Sequence, residues 1–584
     1  MAALTATALL ATLAAVIARA SVSSVPDLSR CEVAARTDAG WVCGTRRRAV
    51  SSREYASFLA VPYAKQPLGE LRFQELLPAE PWYGVRNATN EGPVCPQTDV
   101  FYMQFHTAKG GMSEACIHAN VYVPIEALPD PYKAPEVNTT GPGLPVLVFI
   151  HGGGFAFGSG DPDLYGPEYL VSKGVIVITF NYRLNVFGFL SLNSSQVPGN
   201  MGLRDGLSLL RWVRSNARGF GGDPRSVTLG GQSAGAVMAH MLTLTPAAHG
   251  LIHRTILMSG TAFSGFISTS PSFATTINKL FLPMLGIDPE LPDDEIHYRL
   301  IETPIDKIMA ANKQLLDIFG LTTFVPVVES PLPGIQAVLD NDPEVLVDSG
   351  RDSRVPLLIG FTDEECESFR QRFQEVHIIE QLEKSPSLAV SPRLTFKAGE
   401  KLPIITEAIN ARYFNGTVDM DRYIRLCTEQ YYKYPPLKLV KKRSLAAAPT
   451  FLYRFSFGGS PSIWKVGRRM EYSGASHVED LTYVFRTSQL GPLADDELSA
   501  HDDNARIRDS MTDHVVNFMR YGHPLPGPVL SRRWSPVRTP LHYQEIADPR
   551  HIHAAAPTCH ETNALKFFTR LDCIVEKDKT NTTL

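Results

Sequence analysis

Ser226–Met241 reads SVTLGGQSAGAVMAHM, and this stretch decides how the rest of the chain is understood. A short apolar run ends on Gly231-Gln232-Ser233-Ala234-Gly235, and small and apolar residues at helical spacing follow at once. One reading is packing, since small residues let a strand and a helix approach closely. The other is a tight strand-to-helix turn that forces Ser233 into a strained backbone conformation with its hydroxyl exposed. Gly-x-Ser-x-Gly alone is weak, so its surroundings must choose.

Upstream and downstream the chain alternates strand and helix signals. Residues 145–150 (PVLVFI), 175–182, 226–231, 254–260, 355–361 and 450–457 are short, β-rich and continuously apolar. Such runs suit strands buried on both faces, as in a parallel sheet covered by helices. Residues 202–220 place Leu203, Leu207, Leu210 and Val213 on one helical stripe, ending before Gly221-Gly222. The alternation predicts an α/β fold with a central, mostly parallel, twisted sheet. Residues 265–345 and 370–445 lack strand signals and are expected to form helical insertions over one end of that sheet. The segment CEVAARTDAGWVC (31–43) reads as a hairpin about Asp38-Ala39-Gly40, which places Cys31 and Cys43 nearly opposite each other and predicts a bridge between them.

Composition narrows the class. The chain has 584 residues, is 44% hydrophobic and 20% charged, and carries a formal net charge of −4, which does not suit a nucleic-acid or anionic-membrane partner. Residues 1–20 are an apolar run closed by Ala18-Arg19-Ala20, the pattern of a cleaved export signal, although a basic leader is missing. Eight cysteines, none spaced C-x-x-C, and sequons at Asn87, Asn138, Asn193, Asn415 and Asn581 fit the same route. The expectation is a secreted glycoprotein with residues 21–584 forming one domain, no stable membrane anchor and an unassigned oligomeric state. The H-x-H at His551 and His553 lacks further ligands at metal spacing, and His118 and His240 read as satisfied histidines.

A serine hydroxyl is a poor nucleophile at neutral pH and needs a base, which in turn needs an orienting acid. After such a turn the partners should follow in the order acid, then histidine, beyond later strands. FTDEECESF (361–369) and GASHVEDLTYVF (474–485) stand in that order. Strand 145–150 runs straight into His151-Gly152-Gly153-Gly154-Phe155, where glycines let backbone N–H groups turn toward a bound oxyanion.

PVLVFIHGGGF, VIVITFNYRLNVFGFL, PGNMGLRDGLSLLRWV, FGGDPRSVTLGGQSAG and GASHVEDLTYVF together resemble the type-B carboxylesterase/cholinesterase family over nearly the whole chain. SEACIHANVYVP and FAFGSGDPDLYGPEYLVSK are most similar to its insect antennal and juvenile-hormone-type esterases. The resemblance implies an α/β-hydrolase fold with helical insertions forming a gorge. It implies Ser233 as nucleophile, His477 as base and Glu365 as acid, with Glu364 a competitor in the same acidic loop. It further implies Gly153, Gly154 and Ala234 as oxyanion donors, a Cys95–Cys116 disulfide, ion pairs Arg72–Glu114 and Arg183–Asp205, and no cofactor or metal. The pairing of Cys366, Cys427, Cys559 and Cys573 stays open. Departures are Cys366 where glycine often follows the acid, and Ala115 where aspartate usually precedes the cysteine.

Choline esters are disfavoured. Residues 96–115 contain no tryptophan for cation–π binding, and Gln232 stands where cholinesterases have glutamate. Phe155, Phe157 and Gln232 are expected to contact a small, uncharged, lipophilic ester such as a volatile acetate or xenobiotic ester. Hydrolysis of juvenile hormone is the alternative, against which Gly206 stands where that group usually has glutamine. A catalytically inactive adhesion or binding protein is the alternative of another class.

Overall fold

The computed structural model describes residues 25–49, 52–102, 106, 108–132, 143–320, 322–459, 462–467, 470–488, 490, 502–526, 534–549 and 552–576. The expected export signal, Asn138, Asn581 and His551 lie outside them.

The strands are β1 (Val33–Thr37), β2 (Gly40–Arg48), β3 (Glu54–Val61), β4 (Val85–Asn87), β5 (Ala119–Pro124), β6 (Leu144–Ile150), β7 (Ile176–Phe180), β8 (Gly222–Gln232), β9 (Arg254–Met258), β10 (Leu357–Thr362), β11 (Thr450–Phe455), β12 (Tyr543–Ile546) and β13 (His553–Ala555). They form one sheet in the order β1-β2-β3-β5-β7-β6-β8-β9-β10-β11-β12-β13, with β4 beside β2. From β7 to β12 every pairing is parallel, and antiparallel strands close both edges. Each of the six expected strands is present within a few residues. β1 and β2 form the hairpin, paired Thr37 to Gly40, and Cys31 is bonded to Cys43.

Alternation along these strands explains why they are apolar throughout. Val146, Val148 and Ile150 enter the core on one side of the sheet, while Leu147 and Phe149 enter the core on the other. With helices on both faces neither set can be polar. Helix α1 (Met201–Asn216) buries Leu203, Leu207, Leu210 and Val213, and a 3₁₀ turn, Ala217–Phe220, ends it at Gly221, whose φ is 78°. Helix α2 (Ala234–Leu244) starts directly after β8 and is buried along its whole length. Residues 265–345 and 370–445 hold no strand among the described residues, as expected; the first carries helices at 271–284, 293–302 and 305–319, then a loop over 322–342, and the second is mostly helical.

Ion pairs brace this frame. Arg183 grips Asp205 with two nitrogens at 2.6 and 2.9 Å, and Arg72 grips Glu114 at 2.7 Å through both oxygens. Among the described residues no helix is long and apolar enough to cross a membrane.

Candidate active site

Ser233 sits between β8 and α2 with φ 57° and ψ −125°, a strained conformation for a residue with a side chain. The surrounding contacts hold it there. Its N–H donates to Met258 O at 2.8 Å on β9, and its carbonyl accepts from Val237 N at 3.0 Å. The flanking glycines are required by backbone, not by flexibility alone. A Cβ on Gly231 would lie 2.3 Å from Gly235 O, and one on Gly235 would lie 2.1 Å from Ile150 O. The packing reading and the strained-turn reading are therefore both true of this stretch, and the first makes the second possible.

The acid loop follows β10. Glu365 is fully buried; its Oε1 accepts from Thr362 N at 2.8 Å and its Oε2 lies 2.6 Å from His477 Nδ1. Glu364 is partly exposed, and burial raises its carboxyl above the usual range. Glu365 is the one that meets the imidazole. His477 is 1% exposed and follows β11 at a distance; its carbonyl accepts from Trp464 Nε1 at 2.6 Å and its N–H donates to Glu365 O at 3.2 Å. A carboxylate only accepts, so Nδ1 carries a proton, and in the neutral imidazole the lone pair is on Nε2.

Ser233 and His477 line one cavity with Gly153 and Gly154. Gly153 has φ 108°, and a Cβ there would lie 2.0 Å from Phe157 O, so the loop after β6 can only be closed with glycine. Ala234 opens α2, and a first-turn N–H has no partner within its helix. His151, just before these glycines, is held near pKa 3 by burial; its Nδ1 lies 2.8 Å from Gly152 O and its ring stacks on Tyr182.

The cavity encloses about 110 Å³ and its wall is aromatic, with Phe101, Phe157, Phe369, Phe373, Tyr423 and Tyr432 among its lining. No Asp, Glu, Lys or Arg lines it among the described residues. Two sequence expectations need correction. Phe155 does not reach this cavity: it is fully buried in the core, 5.0 Å from Phe189 ring to ring, because the positive φ of 64° turns it under the loop. Gln232 does not line the cavity either; its amide nitrogen lies 3.1 Å from His477 Nε2. Phe157 does line it.

Several lining residues carry no sequence signal for a site. Phe101 and Tyr102 hang in the loop closed by Cys95–Cys116, the expected disulfide. Tyr431 and Tyr432 lie on a π-helical turn, Thr428–Lys433. Such turns re-aim side chains, and here Tyr432 lines the cavity beside Ser233 while its ring lies 4.6 Å from the imidazole. A Cys366–Cys427 disulfide staples that turn to the acid loop, and Cys559 and Cys573 are free and exposed. Beyond Glu365, Tyr453 OH donates to Asp480 at 2.8 Å; burial, with the Glu365 charge adding to it, pushes the Asp480 carboxyl up to about 7.

Comparison with known proteins gives a consistent picture. A family profile described as "Carboxylesterase family" matches residues 31–564. Juvenile hormone esterase of Heliothis virescens is 47% identical over 538 residues, covering 92% of this chain and 93% of that protein. Para-nitrobenzyl esterase of Bacillus subtilis (strain 168) is 31% identical, with 84% and 90% covered. The crystal structure of juvenile hormone esterase from Manduca sexta with OTFP covalently attached superimposes with a TM-score of 0.87 at 51% identity, covering 92% of this chain and 99% of that one.

Proposed function

This chain belongs to the carboxylesterase family and is a carboxylic ester hydrolase with the α/β-hydrolase fold, and from that premise we propose that it cleaves uncharged, lipophilic esters with Ser233 as nucleophile. His477 takes the hydroxyl proton as Ser233 Oγ attacks the ester carbonyl. Glu365 holds the imidazole tautomer and offsets the charge that forms on it. The amides of Gly153, Gly154 and Ala234 receive the developing oxyanion, each contributing roughly 3 kcal/mol to the transition state. The alkoxide leaves with the proton from His477, and water, activated by the same imidazole, then releases the acid from the acyl-enzyme.

The observation that carries the substrate class is the cavity wall. A cationic ester would leave water for a slot lined by aromatic and aliphatic side chains with no carboxylate to meet it. A neutral ester loses little hydration and gains apolar contact. Volatile acetates and xenobiotic esters fit that description. Juvenile hormone is the second reading, favoured by the two relatives that bear its name. Gly206 does not follow that group; a Cβ there would lie 2.4 Å from Met238 Cε and 3.0 Å from Leu242 Cδ1 on α2.

Secretion is part of the proposal. Residues 1–20 would direct export, residues 21–584 would form one hydrolase domain, and Asn87, Asn193 and Asn415 are exposed and open to glycosylation. The three disulfides support an oxidising compartment.

The test is a substrate panel with purified enzyme, comparing a neutral long-chain acetate, the hormone and a choline ester, beside Ser233→Ala. Turnover of neutral esters, at least tenfold slower choline-ester cleavage, and a loss of about 10⁴-fold or more in the alanine variant are expected. Choline esters cleaved as fast as neutral ones would overturn the substrate class, and an active alanine variant would overturn the nucleophile. Hormone turnover far above acetate turnover would make the second reading the first.

A further inference from the structure

The lone pair on His477 Nε2 already has a partner in the resting enzyme. Nδ1–H is committed to Glu365, so only a donor can face Nε2 favourably. The facing atom is Gln232 Nε2 at 3.1 Å. The amide thus donates, and its other end is left over: Gln232 is fully buried and its Oε1 has no hydrogen-bond partner. That oxygen rests against Gly152, where a Cβ would approach it to 2.7 Å, so the glycine keeps room for the amide. Ser233 and Tyr432 line the same cavity beside the imidazole. The base therefore begins with a partner other than the nucleophile.

We infer that Gln232 is a two-state positioning residue for the base, its N–H holding the neutral imidazole at rest and its unpartnered oxygen receiving the imidazolium once Ser233 has lost its proton. The inference rests on the Ser233–His477–Glu365 reading above. When Oγ bonds to the acyl carbon, its proton passes to Nε2, which becomes a donor; an amide N–H facing it then repels. A half-turn about the last torsion of Gln232 replaces the NH₂ with the oxygen, and the turn reverses when the leaving alkoxide takes the proton. A hydrogen bond that the neutral form accepts disfavours its protonation. The resting contact therefore keeps the base unprotonated into more acidic solution than a carboxylate at the same place would allow.

The other groups around the imidazole are accounted for. Rings of Phe101, Phe369 and Tyr432 lie 6.4, 5.3 and 4.6 Å away, and burial holds the Tyr432 hydroxyl un-ionised. Asp480 stands behind Glu365, with Tyr453 on it, and Glu479 accepts from Ser476 N. Lys465 reaches Gly474 O at 3.0 Å, away from the ring. Among the described residues, only Glu365 and Gln232 touch the ring nitrogens.

The experiment is the pH dependence of kcat/KM from pH 5 to 9 with an uncharged chromogenic acetate, for the full chain and for Gln232→Glu and Gln232→Met. This ratio reports the free enzyme, and the midpoint of its acid limb does not depend on how much of a preparation is folded. The glutamate variant is expected to move the midpoint up by about one pH unit, a relative loss of about tenfold at the acid end. Methionine, which keeps the volume but removes the donor, is expected to move it up by about 0.3–0.5 unit. Acid limbs that coincide in all three proteins, or a downward shift, would overturn the inference, and the methionine variant decides alone should the glutamate one not fold. Failure of the underlying reading looks different: the unmodified enzyme would then show no turnover or no acid limb.

Discussion

The floor of the cavity and its roof are made from different kinds of chain. Ser233, Glu365 and the glycines of 152–154 stand just beyond the ends of β8, β10 and β6, where backbone meets backbone: Gly231 against Gly235, Gly235 against Ile150, Gly153 against Phe157. The roof comes from the Cys95–Cys116 loop and the helices of 370–445, and there the contacts are ring on ring, such as Phe101 on Phe369 at 4.8 Å and Phe373 on Tyr423 at 5.0 Å. Backbone contacts cannot relax without moving strands, whereas a ring can be exchanged for another apolar group of similar size. On the proposed reading, chemistry is held in the part that tolerates least change and selectivity in the part that tolerates most.

Breaking the floor should therefore act on rate. Glu365→Gln keeps the volume and the Thr362 contact but removes the charge that fixes the imidazole tautomer. A loss of about 10³–10⁴-fold in kcat is expected with little change in KM, measured by steady-state kinetics on a neutral ester. A loss under tenfold would mean that this carboxylate is packing rather than machinery, and the contrast between floor and roof would lose its footing.

The next effect is on stability and concerns the carboxyl beneath the floor. Asp480 is pushed from the ordinary 3.8 up to about 7, chiefly by burial and further by the Glu365 charge. Below about pH 4 it is protonated in both folded and unfolded chains and carries no penalty. Between pH 4 and 7 the unfolded chain ionises it while the folded one does not, so stability contributed by the protonated group is lost as pH rises. Asp480→Asn keeps an acceptor for Tyr453 and escapes this loss. The variant should gain on the parent from pH 5 to pH 8, by up to about 2.5 kcal/mol. Urea midpoints at the two pH values measure it, and an equal difference at both would show that the carboxyl is ionised in the fold throughout.

The same contrast explains what could be read from residues alone. The strands around the turn were legible because a strand buried on both faces must be apolar at every position, a pattern few other structures impose. Ser233, Gly153 and Gly154 were legible because local geometry demands particular residue types at fixed spacing. Glu365 was separable from Glu364 by family resemblance but not by chemistry, since two adjacent carboxyls differ only in which way the 3₁₀ turn Glu365–Phe369 aims them. Phe155 was misplaced for a related reason: its neighbour Phe157 reaches the cavity, but the positive φ at 155 sends that ring into the core. Tyr432 and Phe373 gave no signal, because an aromatic residue on a helix is usually packing and nothing in the spacing announces a π-helical turn. Cys366–Cys427 also waited on the fold, since the partners lie 61 residues apart with nothing local to pair them.

The smallest predicted effect sharpens the comparison from the roof. Phe373 is 6% exposed, lies against Phe369 at 6.0 Å and Tyr423 at 5.0 Å, and faces the cavity. Removing its ring takes apolar contact from a bound ester in ground and transition state alike, which is uniform binding and shows as KM. Phe373→Ala should raise KM for a long-chain ester by about tenfold, roughly the contact of half a buried ring, while kcat for that ester changes less than threefold. A short acetate that does not reach the ring should be affected less in both constants. The comparison of chain lengths matters, because truncating a packed ring also costs stability and would lower both rates together if folded enzyme were simply lost. Should kcat fall for short and long esters alike while the melting temperature holds, the roof would be shaping the reacting geometry, and the division between a rate-setting floor and a selective roof would be wrong.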